Sequence, residues 1–569
     1  MTPTRFEELV RKLETMARER PGSYALRAGA VASLGYLYLG VVTGALALLV
    51  VGALIVPFLM PRANGAAIAF IIKFGLVILV VLGVVLRALF LRVPKPEGRE
   101  ITRNEAPALF DMLDELRQRV NAPKIHRVIV VPAINAGIQE WPRLGLLGWF
   151  RRELVLGLPL MQALTVEQFR SVMAHELGHL SPRHHRLAHW MRRQRMRWSQ
   201  MAAAFEHDPS RGHWMVTPFL RRYAPWFAAH VFPLERLAEY HADSISALLV
   251  SPRAAAEALT VTAVVDRYAD EIFWPEIGKL ATNSPIPVGA PSRDFPRRLA
   301  SGLDRRTAER WIEELMRLKS THLVVHPVLR DRLAALGERP RMVLPAPGQS
   351  TTHLALGAAE SVLAEEFDAQ WREQVAEDWR AQHQASDERR QRLAQLEEQV
   401  ESGAALSPDE AFERAMLNEA IHDDKEATIA LLRPLVRERP DHAPLLFALG
   451  TRLLERDDDQ GRVLVERAIT LDPEAMLVGA EALRNHHYRR GDTKAALIWQ
   501  ERLEERFKKV QQRDQMALQL TKHDRFEAHG VDPALIPILA EELRRAGARR
   551  TGLVRRTPRN EDDPGATVL

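Results

Sequence analysis

Cysteine is absent from the chain. That excludes a disulfide framework, a thiolate metal site and a thiol nucleophile, and it agrees with a reducing compartment. Neither sign of charge prevails: 78 Lys and Arg face 73 Asp and Glu, a formal charge of +5 over 569 residues. The basic residues gather beside two apolar stretches, which points to a membrane surface before nucleic acid, and no nucleic acid is expected as a partner. The length exceeds one ordinary domain, so at least two folded units are expected.

The apolar stretches are the first positive feature. "GYLYLGVVTGALALLVVGALIVPFLM" runs from Gly35 to Met60 without a charge, and "AAIAFIIKFGLVILVVLGVVLRALFL" covers Ala66 to Leu91. A membrane helix needs about 20 apolar residues, so each run is long enough to span. Lys73 and Arg87 lie near enough to an end to snorkel. The first run starts too late and is too long for a cleaved signal peptide. Arg92, Lys95, Arg99 and Arg103 follow the hairpin, against only Arg62 in its turn. The positive-inside rule then places the bulk of the protein in the cytoplasm, held in an inner membrane.

The expected organisation is a cytoplasmic tail over 1–34 and a transmembrane helical hairpin over 35–93. A mixed α/β domain follows over 94–345, then a helical linker over 346–402. Helical repeats occupy 403–512, and a helical segment with a disordered tail fills 513–569. Within 94–345, "PALFDMLDELRQRVNA" has helical periodicity, while "HRVIVVPAINAG" and "RRELVLGLPL" read as strands. "TVEQFRSVMAHELGHL" reads as a helix with Thr165 and Gln168 at capping-box spacing. The Pro and Gly of 283–296 predict loop. Beyond 350, Pro408, Pro440 and Pro473 recur near the ~34-residue period of tetratricopeptide repeats. "LVERAITLDP" is similar to the second helix and closing proline of such a repeat.

"HELGH" places His175 and His179 one helical turn apart, so both imidazoles can grip one metal ion. Glu176, beside the first ligand, can act on a water there as general base. Zinc suits imidazole nitrogens and keeps an open position. His185 has the spacing of a third ligand in HExxHxxGxxH, but Pro182 stands where that pattern needs a glycine. "LERLAEYHADSISALL" instead offers Glu239 on a second helix, with Asp243 one turn later in position to orient a ligand by hydrogen bond.

"AHELGH" with "EYHAD" some sixty residues later resembles the HtpX-like and CAAX prenyl endopeptidase family, metallopeptidase family 48. "INAG" supplies the family's Asn-Ala pair at Asn135 and Ala136, and "HPVLRDRL" supplies its His-Pro with a following Arg at His326, Pro327 and Arg332. The resemblance implies an α+β, mostly helical fold with a gluzincin-type peptidase domain and one Zn2+ per chain. It implies that Asn135 and Ala136 lie on an edge strand pairing with substrate backbone. It also implies that His326 and Arg332 stabilise an oxyanion.

The sequence departs from that pattern in two places. Gly137 replaces a larger residue after Asn-Ala. The interval between the zinc ligands, which in HtpX-type members adds two spans, is basic here and carries Arg221 and Arg222. It reads as amphipathic cover near the membrane, with Trp190, Trp198, Trp214 and Trp226 as interfacial anchors, or else as packing within the domain. Two spans cannot build the membrane chamber of the prenyl-processing branch. The reading is a membrane-anchored zinc metalloendopeptidase acting on protein or peptide substrates in membrane-protein quality control. The helical array would recruit protein partners. The competing reading is a membrane-tethered scaffold or chaperone with an inactive or self-inhibited peptidase domain.

Overall fold

The structure is a computed structural model that describes residues 3–59, 65–89, 98–142, 150–181, 190–198, 217–320, 325–346, 348–518, 525–528, 554–556 and 566–568. They form two compact units, Met1–Leu406 and Ser407–Leu569. The fold class is α+β and mostly helical, with one small sheet in the first unit.

Helix α1 (Pro3–Glu19) occupies much of the segment expected as a polar tail. Its Leu9, Val10, Leu13, Met16 and Ala17 recur at helical spacing, and Val10 and Leu13 are buried. The high charge count concealed that apolar stripe. Helices α2 (Pro21–Leu59) and α3 (Gly65–Leu89) contain most of the two apolar runs, whose Met60, Phe90 and Leu91 lie outside the described residues. Both are long and apolar enough to cross a membrane. The turn at 61–64, with Arg62, lies outside the described residues, as do Arg92 and Lys95.

The sheet comprises β1 (Arg99–Ile101), β2 (Arg127–Val131), β3 (Ala136–Pro142) and β4 (Phe150–Gly157), in the order β1-β2-β4-β3. β2 and β4 are parallel, and the other neighbours are antiparallel. Side chains alternate across the sheet. Val128, Val130, Leu154 and Leu156 enter the main core, whereas Ile129, Val131 and Val155 form a small cluster on the other face. α4 (Pro107–Val120) covers the core face and stops at Asn121, which takes the left-handed conformation. β3 is an edge, running from Ala136 opposite Leu156 to Pro142 opposite Phe150.

After β4 the chain forms α5 (Leu158–Ala163) and α6 (Val166–Gly178), the latter opened by the expected Thr165–Gln168 capping box. A helix over 190–198, α7, precedes α8 (Thr217–Leu249). α8 continues through Pro225 and Pro233, so Arg221, Arg222 and Glu239 share one helix. Trp198 is buried against Tyr36 and Tyr223, and Trp190 stacks on Tyr36. These contacts join α7 and α8 to α2, the first of the two apolar helices. Trp214, Pro182 and His185 lie outside the described residues.

α9 (Pro252–Tyr268), α10 (Trp274–Lys279), α11 (Pro291–Gly302), α12 (Arg305–Arg317) and α13 (Leu329–Leu336) complete the core. The expected loop at 283–296 ends early, because Pro291 starts α11 at a position where a missing N–H costs nothing. α14 (Ala359–Glu401) corrects the linker expectation. It buries Leu363, Phe367 and Trp379 in the main core, and Asp368 accepts hydrogen bonds from the Ser292 backbone and Arg293. It belongs to the first unit.

The second unit contains α15 (Pro408–His422), α16 (Lys425–Glu438), α17 (Ala443–Glu455), α18 (Asp459–Leu471), α19 (Met476–Arg489) and α20 (Thr493–Leu518). Pro408 opens α15, Pro440 precedes α17, and Pro473 precedes α19, so each repeated proline marks the start of a helix pair. α17 and α18 approach closely at Gly450 and Gly461, where a Cβ on Gly461 would stand 2.5 Å from the Gly450 carbonyl oxygen. Within the tail read as disordered, β6 (Val554–Arg556) and β7 (Ala566–Val568) pair with each other, and β6 pairs with β5 (Phe526–Ala528).

Candidate metal and catalytic centre

α6 and α8 cross beside the edge strand. Ser171 of α6 and Ser246 of α8 share a hydrogen bond between their hydroxyls, and Ser246 also donates to the Ser171 carbonyl at 2.7 Å. Glu239, Asp243 and Ser246 lie on one face of α8, so this clasp turns both carboxylates toward α6. Glu239 and Asp243 are 3% and 2% exposed. A buried carboxylate needs partners, and both have them.

His175 Nε2 and His179 Nε2 stand 3.2 Å apart. The Glu239 carboxylate oxygens lie 3.4 Å from His179 Nε2 and 3.8 Å from His175 Nε2. Ligands bound tetrahedrally to zinc at about 2.0–2.1 Å stand roughly 3.4 Å from one another. The triangle therefore fits such an ion. His175, His179 and Glu239 form a group that could hold a metal, and the donors are nitrogen and oxygen throughout.

The surrounding contacts orient these donors. His175 Nδ1 lies 2.9 Å from Asp243 Oδ1, which leaves Nε2 for a metal. Arg332, on α13, grips Asp243 with both ends of its fork, at 2.6 and 2.8 Å. Burial by itself raises Asp243, but hydrogen bonds from Arg332 and His175 outweigh it and hold the carboxyl below its ordinary value. Glu239 behaves likewise: burial raises it, and the His326 hydrogen bond with the nearby imidazoles brings the net shift down. Burial pushes His179 well below its ordinary value, which keeps its imidazole neutral, the form that could bind a metal.

Glu176 points into the cleft next to His179 and Glu239. Burial raises its carboxyl, against the opposing charges of His175 and Arg192. A raised carboxyl near the reacting atoms is the property of a general base or acid. His326 is exposed on its cleft side, and its Nδ1 lies 2.7 Å from Glu239 Oε2. Its hydrogen bond with Glu239 raises it. Arg332, which the resemblance gives as an oxyanion donor, bonds Asp243, with its guanidinium 3.4 Å from His175 Nδ1.

Asn135 sits one residue before β3 rather than within it, and Ala136 opens the strand. Ala136 through Trp141 line a cleft of about 380 Å3 shared with Glu176, His179, Glu239 and His326. A second hollow beside it is bounded by Asn135, His175, Asp243 and Arg332. Sequence reading missed Gly157. Its N–H donates to the Asn135 carbonyl at 2.6 Å, and a Cβ there would fall 1.9 Å from the Ala133 carbonyl oxygen. The glycine lets the 132–135 loop pass and so fixes where the edge strand begins. A glycine ending a strand was the only hint. The basic stretch read as amphipathic cover forms α7, and what that reading did not give is that its Arg192, Arg193 and Arg197 line the cleft wall.

Comparison with known families matches residues 146–340 to the model described as Peptidase family M48. That interval contains α6, α7 and α8 and ends just after α13, so it spans His175, His179 and Glu239 together with Asp243, His326 and Arg332, which bond them. No curated protein matches the chain.

Proposed function

We propose that this chain, a peptidase of family M48, is a zinc-dependent endopeptidase anchored in a membrane and acting on exposed or unfolded protein segments. The observation that carries the reading is the triangle of His175, His179 and Glu239 with Glu176 beside it at the foot of an open strand edge. When bound, zinc supplies Lewis acidity toward a carbonyl and toward water.

The chain's own groups do the rest. β3 aligns an extended substrate by adding it as a further strand, a mode that reads backbone more than side chains and so suits unfolded clients. Glu176 takes a proton from the attacking water and passes it to the leaving amine, a relay favoured by its raised carboxyl. His326 donates its Nδ1–H to Glu239, a contact that favours the protonated imidazolium, and in that form its Nε2–H can donate to the oxygen of the tetrahedral intermediate. Asp243 fixes the His175 ring, and Arg332 positions Asp243.

Two features support membrane anchoring. α2 and α3 are long and apolar enough to cross a bilayer, and Leu37, Leu48, Leu54, Phe70 and Leu76 among others stand exposed on them. A water-facing arrangement of that surface would be costly. The basic residues around the hairpin favour a cytoplasmic peptidase domain in an inner membrane. The helix pairs of the second unit, read as tetratricopeptide-like, would recruit clients for quality control.

The test compares the detergent-purified wild type with Glu176→Gln for zinc content and casein cleavage. The expected result is one zinc in both and cleavage in the wild type alone. Cleavage by both would remove Glu176 from the chemistry, and zinc in neither would remove the metal site.

A further inference from the structure

Charge along the cleft is matched almost everywhere. Glu140 meets Arg152 at 3.0 Å and Arg193 at 3.7 Å, Glu239 meets His326, and Arg332 meets Asp243. Arg193 also lies over the Phe150 ring. Helix α7 divides its residues between two faces. Met191, Gln194 and Trp198 are buried, with Tyr36 bonding Gln194, whereas Arg192, Arg193, Met196 and Arg197 line the cleft. Among the described residues, Arg192 has no carboxylate partner, and it is exposed on the cleft wall beside Glu176 and His179. Arg197 rests over Phe150 near Tyr36 and keeps one buried Nη2 without a hydrogen-bond partner.

We propose that Arg192, supported by Arg197, is a specificity-determining residue that binds a substrate carboxylate close to the scissile bond. The inference rests on the peptidase reading above. A guanidinium presents a planar fork matched to a carboxylate, and such charge-assisted bonds are stronger than neutral ones. β3 forms another wall of the cleft, and its Glu140, on the same sheet face as Ala136 and Ile138, meets Arg193 of α7, so a substrate strand added along this edge passes beside α7. The charge of Arg192 already reaches Glu176 and His179, so the carboxylate would sit within the catalytic cleft. The carboxylate could belong to an Asp or Glu side chain or to a peptide's free C-terminus.

The experiment uses the zinc-loaded, full-length Glu176→Gln protein in detergent, so that bound peptide is not cleaved. Fluorescence anisotropy measures its affinity for labelled extended peptides that differ by Asp against Asn at each position, and by free acid against amide at the C-terminus. Tighter binding of one acidic form, on the order of tenfold, is expected at one location. Adding Arg192→Gln should bring that ratio close to one, Arg192→Glu should invert it, and Arg192→Lys should retain part of it and so control for folding. An internal Asp effect or a C-terminal acid effect would each support the proposal and would tell the two sources apart. A ratio near one in the Glu176→Gln parent, or one that Arg192→Gln leaves unchanged, would overturn it. Because binding is read without turnover, a wild type that cleaves nothing would defeat the peptidase reading while leaving this ratio to be judged by itself.

Discussion

Asp243→Asn probes how the ligands are held. The asparagine keeps the shape and one acceptor oxygen but removes the charge that Arg332 and His175 share. The Arg332 side chain is 14% exposed, so it would face a neutral amide with little water to compensate. Breaking a buried ion pair from one side costs about 3–5 kcal/mol, and the retained acceptor places this variant at the lower end. Losing the outer partner of a metal-binding histidine weakens metal affinity by about 10–100-fold. The assay is zinc affinity by competition with a chromogenic chelator, alongside thermal unfolding with and without zinc. Arg332→Met, which leaves the Asp243–His175 contact in place, should lose less affinity than Asp243→Asn. If Arg332 served chiefly as an oxyanion donor, its loss would lower kcat while zinc affinity stayed the same. Wild-type zinc affinity in Asp243→Asn would refute the reasoning.

Gly157→Ala should displace the 132–135 loop and the start of β3, lowering both peptide cleavage and melting temperature, since the added Cβ collides with backbone. Gly461→Ala should destabilise the second unit by about 1–3 kcal/mol, read by denaturant unfolding of the full chain, and should leave cleavage of short peptides intact. Chelation should lower the melting temperature, and zinc in excess should restore it, because a ligand that binds only the native state adds stability as its concentration rises. In the metal-free protein the Asp243 and Glu239 carboxyls lie below their ordinary values. Their stabilisation is therefore complete above the ordinary carboxylate range, about pH 4, and is lost as the pH falls below it. An acid melting profile for Asp243→Asn as steep as the wild type's would count against that assignment.

Much of the site was legible because its chemistry is written in short local spacing. His175, Glu176 and His179 need only one turn of helix, and Asp243 stands one turn beyond Glu239. The roles were less legible than the residues. Arg332 carries the right charge for an oxyanion, but only the fold shows its fork closed on Asp243. Gly157 left no pattern because its reason is a backbone passing close by, a relation between strands and not within one. α1 was hidden by its charges, and α14 looked like a linker since its few buried positions, Leu363, Phe367 and Trp379, are spread along 43 residues. The tryptophans of α7 and α8 were compatible with either lipid or protein by pattern, and the structure shows Trp198 buried among Tyr36, Phe219 and Tyr223.

The central claim is that one zinc ion is held by His175, His179 and Glu239. X-ray absorption at the zinc edge on detergent-purified wild type and Glu239→Gln tests it directly. The account predicts a wild-type shell of two imidazoles and light oxygen donors at about 2.0–2.2 Å, with zinc lost or the carboxylate contribution gone in the variant. A zinc shell unchanged by Glu239→Gln would contradict it.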